Sequence, residues 1–540
     1  MTNNLESSRG LIALVLNAHL PYVRHPEYSR FLEENWLFEA LSETYLPLLR
    51  VFRGLEMDGV PFRLTLSLSP TLTSMLEDNL LCERYVNHLD RLLELSEKEL
   101  VRLNGDIPGL KVSRMYRELY RNNREDFLNL YNGNILVGFR HFHELGNLEL
   151  ITSTATHAFL PMYRESPDMI RNQILIALEN HDRLFKSMSE GIWLPECGYF
   201  PGLEDYLKPY GIKYFFSSAH GVLHADDPPN YGVYAPLRTP NGTAVFGRDR
   251  AASNAIWSAD DGFPGNPDYR EFYRDIGFDL TEEYIAPYAI EAGNRVNTGF
   301  KYHAITGDTD KKELYDPEKG TAQARKDAGT FLQNRIRQCE TISALMDRPP
   351  LIVAPFDAEL FGHWWFEGPQ FLDALFREFH STEHQLAQVT PSEYLHVWPH
   401  SQVTRPAFSS WGDKGYGQVW LDGSNDWIYR HTHKMVERMA ELVDRFPDEK
   451  GLKLRTLNQA ARELLLSQAS DWPFIIKTGT TVLYAERRVK NHISNFNRIY
   501  ESLCRNTVKT EWLTKLEKRN NIFKDIDYRA FRRREPGISA

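Results

Sequence analysis

Glu196 and Asp357 stand where short apolar runs give way to proline, glycine and aromatic side chains. Glu196 lies in WLPECGY at Trp193–Tyr199; Asp357 lies in APFDAELFGHWW at Ala354–Trp365, after LIVAPF. Two carboxyl groups delivered by separate strand ends into an aromatic-lined cleft are the parts needed to break and remake a glycosidic bond. A retaining course requires them about 5–5.5 Å apart, one charged and one protonated, with surroundings that push their acidities apart. Either acid alone reads as a salt bridge or helix cap; together, at such strand ends, they read as a catalytic pair.

Further polar residues fall at strand ends. His19 and His157 fit donors to a sugar hydroxyl or to a nucleophilic carboxylate, and fit equally well as core histidines satisfied by backbone. A metal would need more ligands than these two, with His363 of FGHWW as the only speculative third, so none is expected. Trp257, Trp411 and Trp420 sit in glycine-rich, non-periodic stretches and are candidates for exposed platforms on which sugar rings stack. Gly265 follows Phe263-Pro264 at a turn where a missing side chain lets backbone approach a ligand. Ser470-Asp471-Trp472-Pro473 has two readings: a turn with Trp472 in the core and Asp471 as cap, or Asp471 and Trp472 presented to the cleft. Cys197, beside Glu196 but with no obvious base, reads as a small packing residue.

The elements that must position these groups alternate between strand and helix. Strand candidates are Leu11–Leu16, Phe62–Leu68, Leu148–Thr152, Ile192–Pro195, Ile212–Phe216, Ala244–Phe246 and Leu351–Pro355, with an eighth open at Gln388–Thr390. Helical periodicity marks Ile170–Met188, Leu203–Tyr210, Ala322–Met346 and Pro369–Phe379. This alternation predicts a parallel sheet with helical crossovers. In a closed β/α barrel the C-terminal strand ends share one face, so Asn17, His19, His157, Glu196, Arg248 and Asp357 would converge; an open sheet would gather them along a crevice. The barrel is the expectation: α/β, seven-stranded, with helical insertions. Glu77–Phe142 reads as a helical excursion and Gly221–Asn241 as a long loop, a length that points to function or disorder. After residue 405 the pattern is helical, over Trp427–Arg445, Lys453–Ala469, Thr480–Cys504 and Thr510–Arg519. The expected domains are therefore 1–404 and 405–540.

The composition fits a folded enzyme of 540 residues. Hydrophobic residues make up 42% and charged ones 25%, which leaves no reason to invoke disorder as the main state. Sixty-three basic against 73 acidic side chains, a net charge of −10, argue against a nucleic-acid binder. Eleven Trp, 26 Tyr and 30 Phe suit a partner with flat apolar faces, though large cores use aromatics too. Four widely spaced cysteines give no disulfide framework or zinc motif, and no apolar run has the length of a membrane span. A cytoplasmic protein with reduced thiols and no membrane partner is expected.

Taken together, NAHLPYVRHP, GNLELITSTATHAFLP at Gly146–Pro161, WLPECGY, WSADDGFPG, APFDAELFGHWWFEGP and the late SDWPF resemble glycoside hydrolase family 57, most closely its 1,4-α-glucan branching enzymes. The resemblance covers nearly the whole chain. It implies a (β/α)7 barrel, a small helical insertion near 197–220 and a C-terminal helical domain walling the cleft, beside the flexible loop near 221–241 read from composition. It implies Glu196 as nucleophile and Asp357 as general acid/base. Arg248, Gly265, Trp411 and Asp471 would contact substrate, with His19, His157 and Trp472 lining the site. The implied reaction cuts an α-1,4 bond in a glucan and passes the segment to a 6-hydroxyl, without metal or organic cofactor. One expectation drawn from this is that Tyr231 and Tyr234, on the 221–241 loop, help decide between water and sugar as acceptor. The first motif departs from the family's His-x-His, since Asn17 takes the first position. An amylase or 4-α-glucanotransferase on the same scaffold, or a glucan-binding protein with weak catalysis, remains the alternative reading.

Overall fold

The computed structural model describes residues 5, 7–258, 261–291, 293–381 and 386–533. Ala259 and Asp260 of WSADDGFPG, and the outermost residues of the two expected domains, lie outside the described residues. The strands are β1 (Gly10–Ala18), β2 (Leu64–Leu68), β3 (Leu148–Ile151), β4 (Gly191–Ile192), β5 (Tyr214–Ser217), β6 (Leu237–Arg238), β7 (Ala244–Gly247), β8 (Ile290–Glu291), β9 (Asn294–Arg295), β10 (Leu351–Asp357) and β11 (Leu386–Gln388). One sheet runs β10-β1-β2-β3, with β11 on the same edge of β1 as β2 but at the opposite end of the strand. A second runs β4-β5-β7-β6, and β8 pairs with β9. Among these ladders only β6·β7 and β8·β9 are antiparallel.

The apolar run of β1 is buried throughout, as expected of a parallel strand covered on both faces. Successive residues point to opposite sides. Leu11, Ala13 and Val15 join Ile151, Tyr214, Phe216, Phe246 and Val353 in one core cluster, which therefore draws side chains from both sheets. Ile12, Leu14 and Leu16 face the larger core between sheet and helices.

The expected seven-stranded barrel is not confirmed. Among the described residues the ladders form sheets of five and four strands, and between them stand a parallel bridge Thr152·Ile192, the Asp249 N–H donating to the Val353 carbonyl at 2.8 Å and the Tyr214 hydroxyl donating to Glu149 at 2.6 Å. What the structure has is a mixed α/β fold with parallel sheets and a helical C-terminal region. β4 is two residues long, Gly191–Ile192.

Helices Asn79–Arg102, Ile107–Glu125 and Leu136–Glu144 fill the Glu77–Phe142 excursion. Helices Trp427–Arg445 and Thr510–Arg519 have the bounds their periodicity gives, and Gly451–Ser467 and Val482–Cys504 lie within two residues of theirs. The 197–220 stretch is only partly helical. It holds the helix Glu204–Leu207 but also β5, because Tyr-Phe-Phe favours the buried strand position.

The 221–241 loop corrects another expectation. The Tyr234 carbonyl accepts from the N–H of Leu351, the first residue of β10, and Arg348 lies over the Tyr231 ring at 5.7 Å. Asp357 ends the same seven-residue strand, roughly 20 Å away along its axis. Tyr231 and Tyr234 thus stand at the wrong end of β10 to choose an acceptor. Among the described residues no helix is long and apolar enough to cross a membrane.

Candidate active site

The parallel register of β1 and β10 sets Asn17 opposite Asp357 at the C-terminal ends of both strands. The Asn17 amide reaches the Asp357 carboxylate at 3.5 Å, a weak contact. His19, just beyond β1, bonds Ser69 Oγ through Nδ1 at 2.9 Å, while its Nε2 meets the Asp471 carboxylate at 3.1 Å. Its ring stacks on that of His157, with centroids 3.7 Å apart and planes 10° from parallel. Glu359, two residues after Asp357, is buried; it accepts from the His19 N–H at 3.2 Å and from the Tyr45 hydroxyl. The turn that carries Glu359 needs a glycine: at Gly362, with φ +125°, a Cβ would stand 1.9 Å from the Glu43 carbonyl oxygen.

Glu196 follows β4 on a strained turn. Glu196 (φ 63°), Cys197 (φ 50°) and, on the neighbouring loop, His157 (φ 55°) occupy the left-handed region without being glycine. Such positions cost on the order of 1–3 kcal/mol each and persist where the surroundings over-determine them. Tyr199 and Ser409 form an antiparallel bridge that docks the 409–411 segment on this turn, and the Trp411 N–H donates to the Glu196 carbonyl at 2.8 Å. Trp411 Nε1 then donates to Glu196 Oε2 at 2.7 Å, and Ser470 Oγ to Oε1 at 2.8 Å. His157 Nδ1 lies 2.8 Å from the same Ser470 oxygen. A hydroxyl that gives its only proton to Glu196 must accept there, so His157 carries hydrogen on Nδ1. The result is a donor chain running from His157 through Ser470 to the carboxylate.

Burial raises both acids. Glu196 is pushed up to about 7 by burial, against the Trp411 and Ser470 hydrogen bonds, with Asp357 and Asp471 adding to the rise. Asp357 is pushed up to about 6 by burial, against Asn17, His19 and Arg248. Because each carboxylate disfavours charge on the other, these two steps belong to the pair, which holds one proton between them. Taken separately, the values would put that proton on Glu196. The hydrogen bonds argue the opposite: Glu196 receives two short ones that favour its charged form, whereas Asp357 receives one weak contact. Glu359 is pushed up to about 8 by burial, against the Tyr45 hydroxyl. Burial opposes charge on His19, yet Asp471 and, behind it, Glu196 and Glu359 bring its pKa above the ordinary value. Burial and the His19 charge hold His157 well below its own.

A bell-shaped pH profile of kcat/KM is therefore expected, with its maximum between about pH 6 and 7. Below this window both carboxyls are protonated and no nucleophile remains; above it both are charged and no acid remains. Ser470→Ala removes a donor that favours the Glu196 carboxylate. It should move the acidic limb upward and lower kcat/KM roughly 10- to 100-fold, the worth of a hydrogen bond to a charged group. An unshifted limb in the profile would reject the donor chain.

The structure brings Glu196, Asp357, His19, His157, Trp411 and Asp471 together. Arg248 joins them: its guanidinium stands over Trp411 at 5.6 Å, and its charge acts on Asp357. Trp257, 38% exposed, meets Trp411 edge-on at 6.2 Å. Gly265 is exposed at the end of the turn Phe263–Gly265, whose other two residues are half-buried. Trp420 and Trp472 correct the sequence expectation, because both are fully buried. Trp420 stacks on Phe159 at 5.0 Å, and Trp472 donates to the Leu466 carbonyl. Trp420→Ala should therefore lower folding stability by about 3–5 kcal/mol in denaturant titration rather than weaken ligand binding. The Ser470–Pro473 turn divides between its two readings, with Trp472 in the core and Asp471 turned toward His19. His363 bonds Glu43 at 2.9 Å, and the described residues contain no group of three or more His, Cys, Asp or Glu that could hold a metal ion.

Sequence reasoning missed Ser470, Glu359, Ser69 and Tyr45. Ser470 and Glu359 sit inside motifs already singled out, and their acceptor or donor types were the available signal. Nothing marks Ser69 or Tyr45 in sequence.

Strained left-handed residues, a hydrogen-bonded carboxylate and a second buried acid at the same strand ends define a site suited to glycosyl transfer or hydrolysis. The glycosyl hydrolase family 57 model matches residues 13–407, and the chain belongs to that family. A model described as "1,4-alpha-glucan branching enzyme, C-terminal" matches residues 431–531. A 1,4-alpha-glucan branching enzyme of Thermococcus kodakarensis is 31% identical, over 96% of this chain and 78% of that protein. The solved structure of an alpha-amylase from Thermotoga maritima is similar at 44% identity and TM-score 0.91, over 98% of this chain and 100% of that one. That of a branching enzyme from Pyrococcus horikoshii is similar at 30% identity and TM-score 0.87, over 98% of each chain.

Proposed function

We propose that this protein is a 1,4-α-glucan branching enzyme working by double displacement. Asp357 protonates the glycosidic oxygen while the Glu196 carboxylate attacks the anomeric carbon. The C–O bond breaks and a glycosyl ester forms on Glu196. Asp357, now charged, takes the proton from the 6-hydroxyl of a second chain as that oxygen displaces Glu196. Two inversions retain the α configuration, and each proton is returned. The observation that carries the reading is the pair of short bonds from Trp411 and Ser470 to Glu196, which favour its charged form beside Asp357, which receives only the weak Asn17 contact. Arg248, Trp257, His19 and Asp471 are read as substrate contacts around this pair.

The same reading takes the two sheets as one distorted seven-stranded ring, supported by a core cluster drawn from both and by the bonds between them. It divides the chain into a catalytic unit at 1–404 and a helical unit at 405–540 that supplies Trp411, Ser470 and Asp471, a division supported by family matches ending at 407 and starting at 431. A place in glycogen synthesis in the cytoplasm goes with an α-glucan substrate and free cysteines.

Hydrolysis of the same bond is the second reading, favoured by the 44% identity to a structure named an alpha-amylase and by the position of Tyr231 and Tyr234. Incubation with amylose, followed by proton NMR of the linkages, separates the two. New α-1,6 signals that vanish with Glu196→Gln support branching, and linear products alone reject it.

A further inference from the structure

One aromatic surface is not used by the mechanism above. Trp364, in FGHWW, is 53% exposed although its ring stacks on Phe272, with centroids 4.3 Å apart and planes 23° from parallel. With one face covered, the exposed half is the opposite face and the rim. Phe272 is itself supported: the buried Lys301 ammonium sits over its ring at 4.0 Å, and the His363 ring meets it edge-on at 5.3 Å. His363 is in turn held by Glu43. Tyr273, 79% exposed, stands edge-on to the same Phe272 at 5.1 Å. Single exposed aromatics are common on protein surfaces. Here two share a support anchored in the core through an aryl ring and a buried cation.

The platform is also tied to the candidate active site. The Trp364 N–H donates to the Glu359 carbonyl at 3.2 Å, and the Glu359 side chain accepts from His19 beside the catalytic pair. A ligand on Trp364 thus lies on the same turn that follows Asp357. A glucan matches this surface because a pyranose presents a flat C–H face to an indole, and a polymer is long enough to occupy the cleft and a point outside it. A ring already stacked loses little side-chain freedom on binding.

We propose that Trp364, backed by Phe272 and Lys301, forms an outer binding platform for an α-glucan chain that also occupies the active site. The proposal rests on the α-glucan reading of that site but not on whether transfer or hydrolysis follows. The test compares Trp364→Ala and Trp364→Phe with the unaltered protein on long amylose and on maltotetraose. The platform predicts that Trp364→Ala lowers kcat/KM on amylose about tenfold more than on maltotetraose, mainly through KM, and that Trp364→Phe recovers most of the difference. Equal effects on both substrates overturn it, as does a loss of self-association in sedimentation with no change in the amylose-to-maltotetraose ratio, which would assign the surface to a second copy of the chain. Linkage analysis of the unaltered protein is read separately, so a linear product would reject branching while leaving the platform standing.

Discussion

Glu196→Gln is expected to lower turnover of amylose by on the order of 10⁴-fold or more while the fold survives. Glutamine fills the same volume, and its amide oxygen can still accept from Trp411 Nε1. It cannot attack an anomeric carbon, so both transfer and hydrolysis should fail together. Glu196→Ala then distinguishes a nucleophile from a merely structural acid. With the carboxylate gone, azide added to a donor with a good leaving group has room to form the new C–N bond as the C–O bond breaks, giving a glycosyl azide of inverted configuration. Thermal unfolding should stay near that of the unaltered protein or rise, because a buried acid with a raised pKa costs folding energy at neutral pH. Turnover within tenfold of the original would remove Glu196 from the mechanism.

Asp357→Asn should cost roughly 10²- to 10⁴-fold on glucan substrates, the usual range for a lost general acid. The loss should depend on the leaving group. An aryl glycoside whose phenol leaves unaided needs no proton in the first step, so its bond cleavage should be far less affected than that of amylose. The glycosyl ester would then accumulate, because the acceptor hydroxyl has lost its base, and a pre-steady-state burst of phenol should appear. The basic limb of the pH profile should vanish as well, since no acid remains to titrate. Equal losses on aryl and natural substrates would show that Asp357 is not the proton donor. Together the two variants separate the nucleophile from the proton donor.

Local sequence marked Glu196 and Asp357 because apolar strands, proline and aromatic residues leave a signature within ten residues. The β1 run, the helices at Trp427–Arg445 and Thr510–Arg519 and the charged Glu77–Phe142 excursion are similarly legible, since burial on both faces or helical periodicity is written along the chain itself. Trp420 was misread for the complementary reason. It lies in a glycine-rich stretch that resembles a surface loop, and its burial comes from Phe159 and Phe474, both distant in sequence.

By itself, the sequence determined which residue types stand at which strand ends, and hence the class of chemistry available. Tertiary structure alone decided that Ser470 and Trp411 meet Glu196 and that His19 lies between Asp471 and His157. It also decided that Tyr234 packs at the start of β10 instead of near Asp357. The reason is physical: strand pairing and helix periodicity are local and repeat along the chain. A hydrogen bond between residues 196 and 470 depends on how segments far apart along the chain pack together, and no spacing in the sequence encodes that.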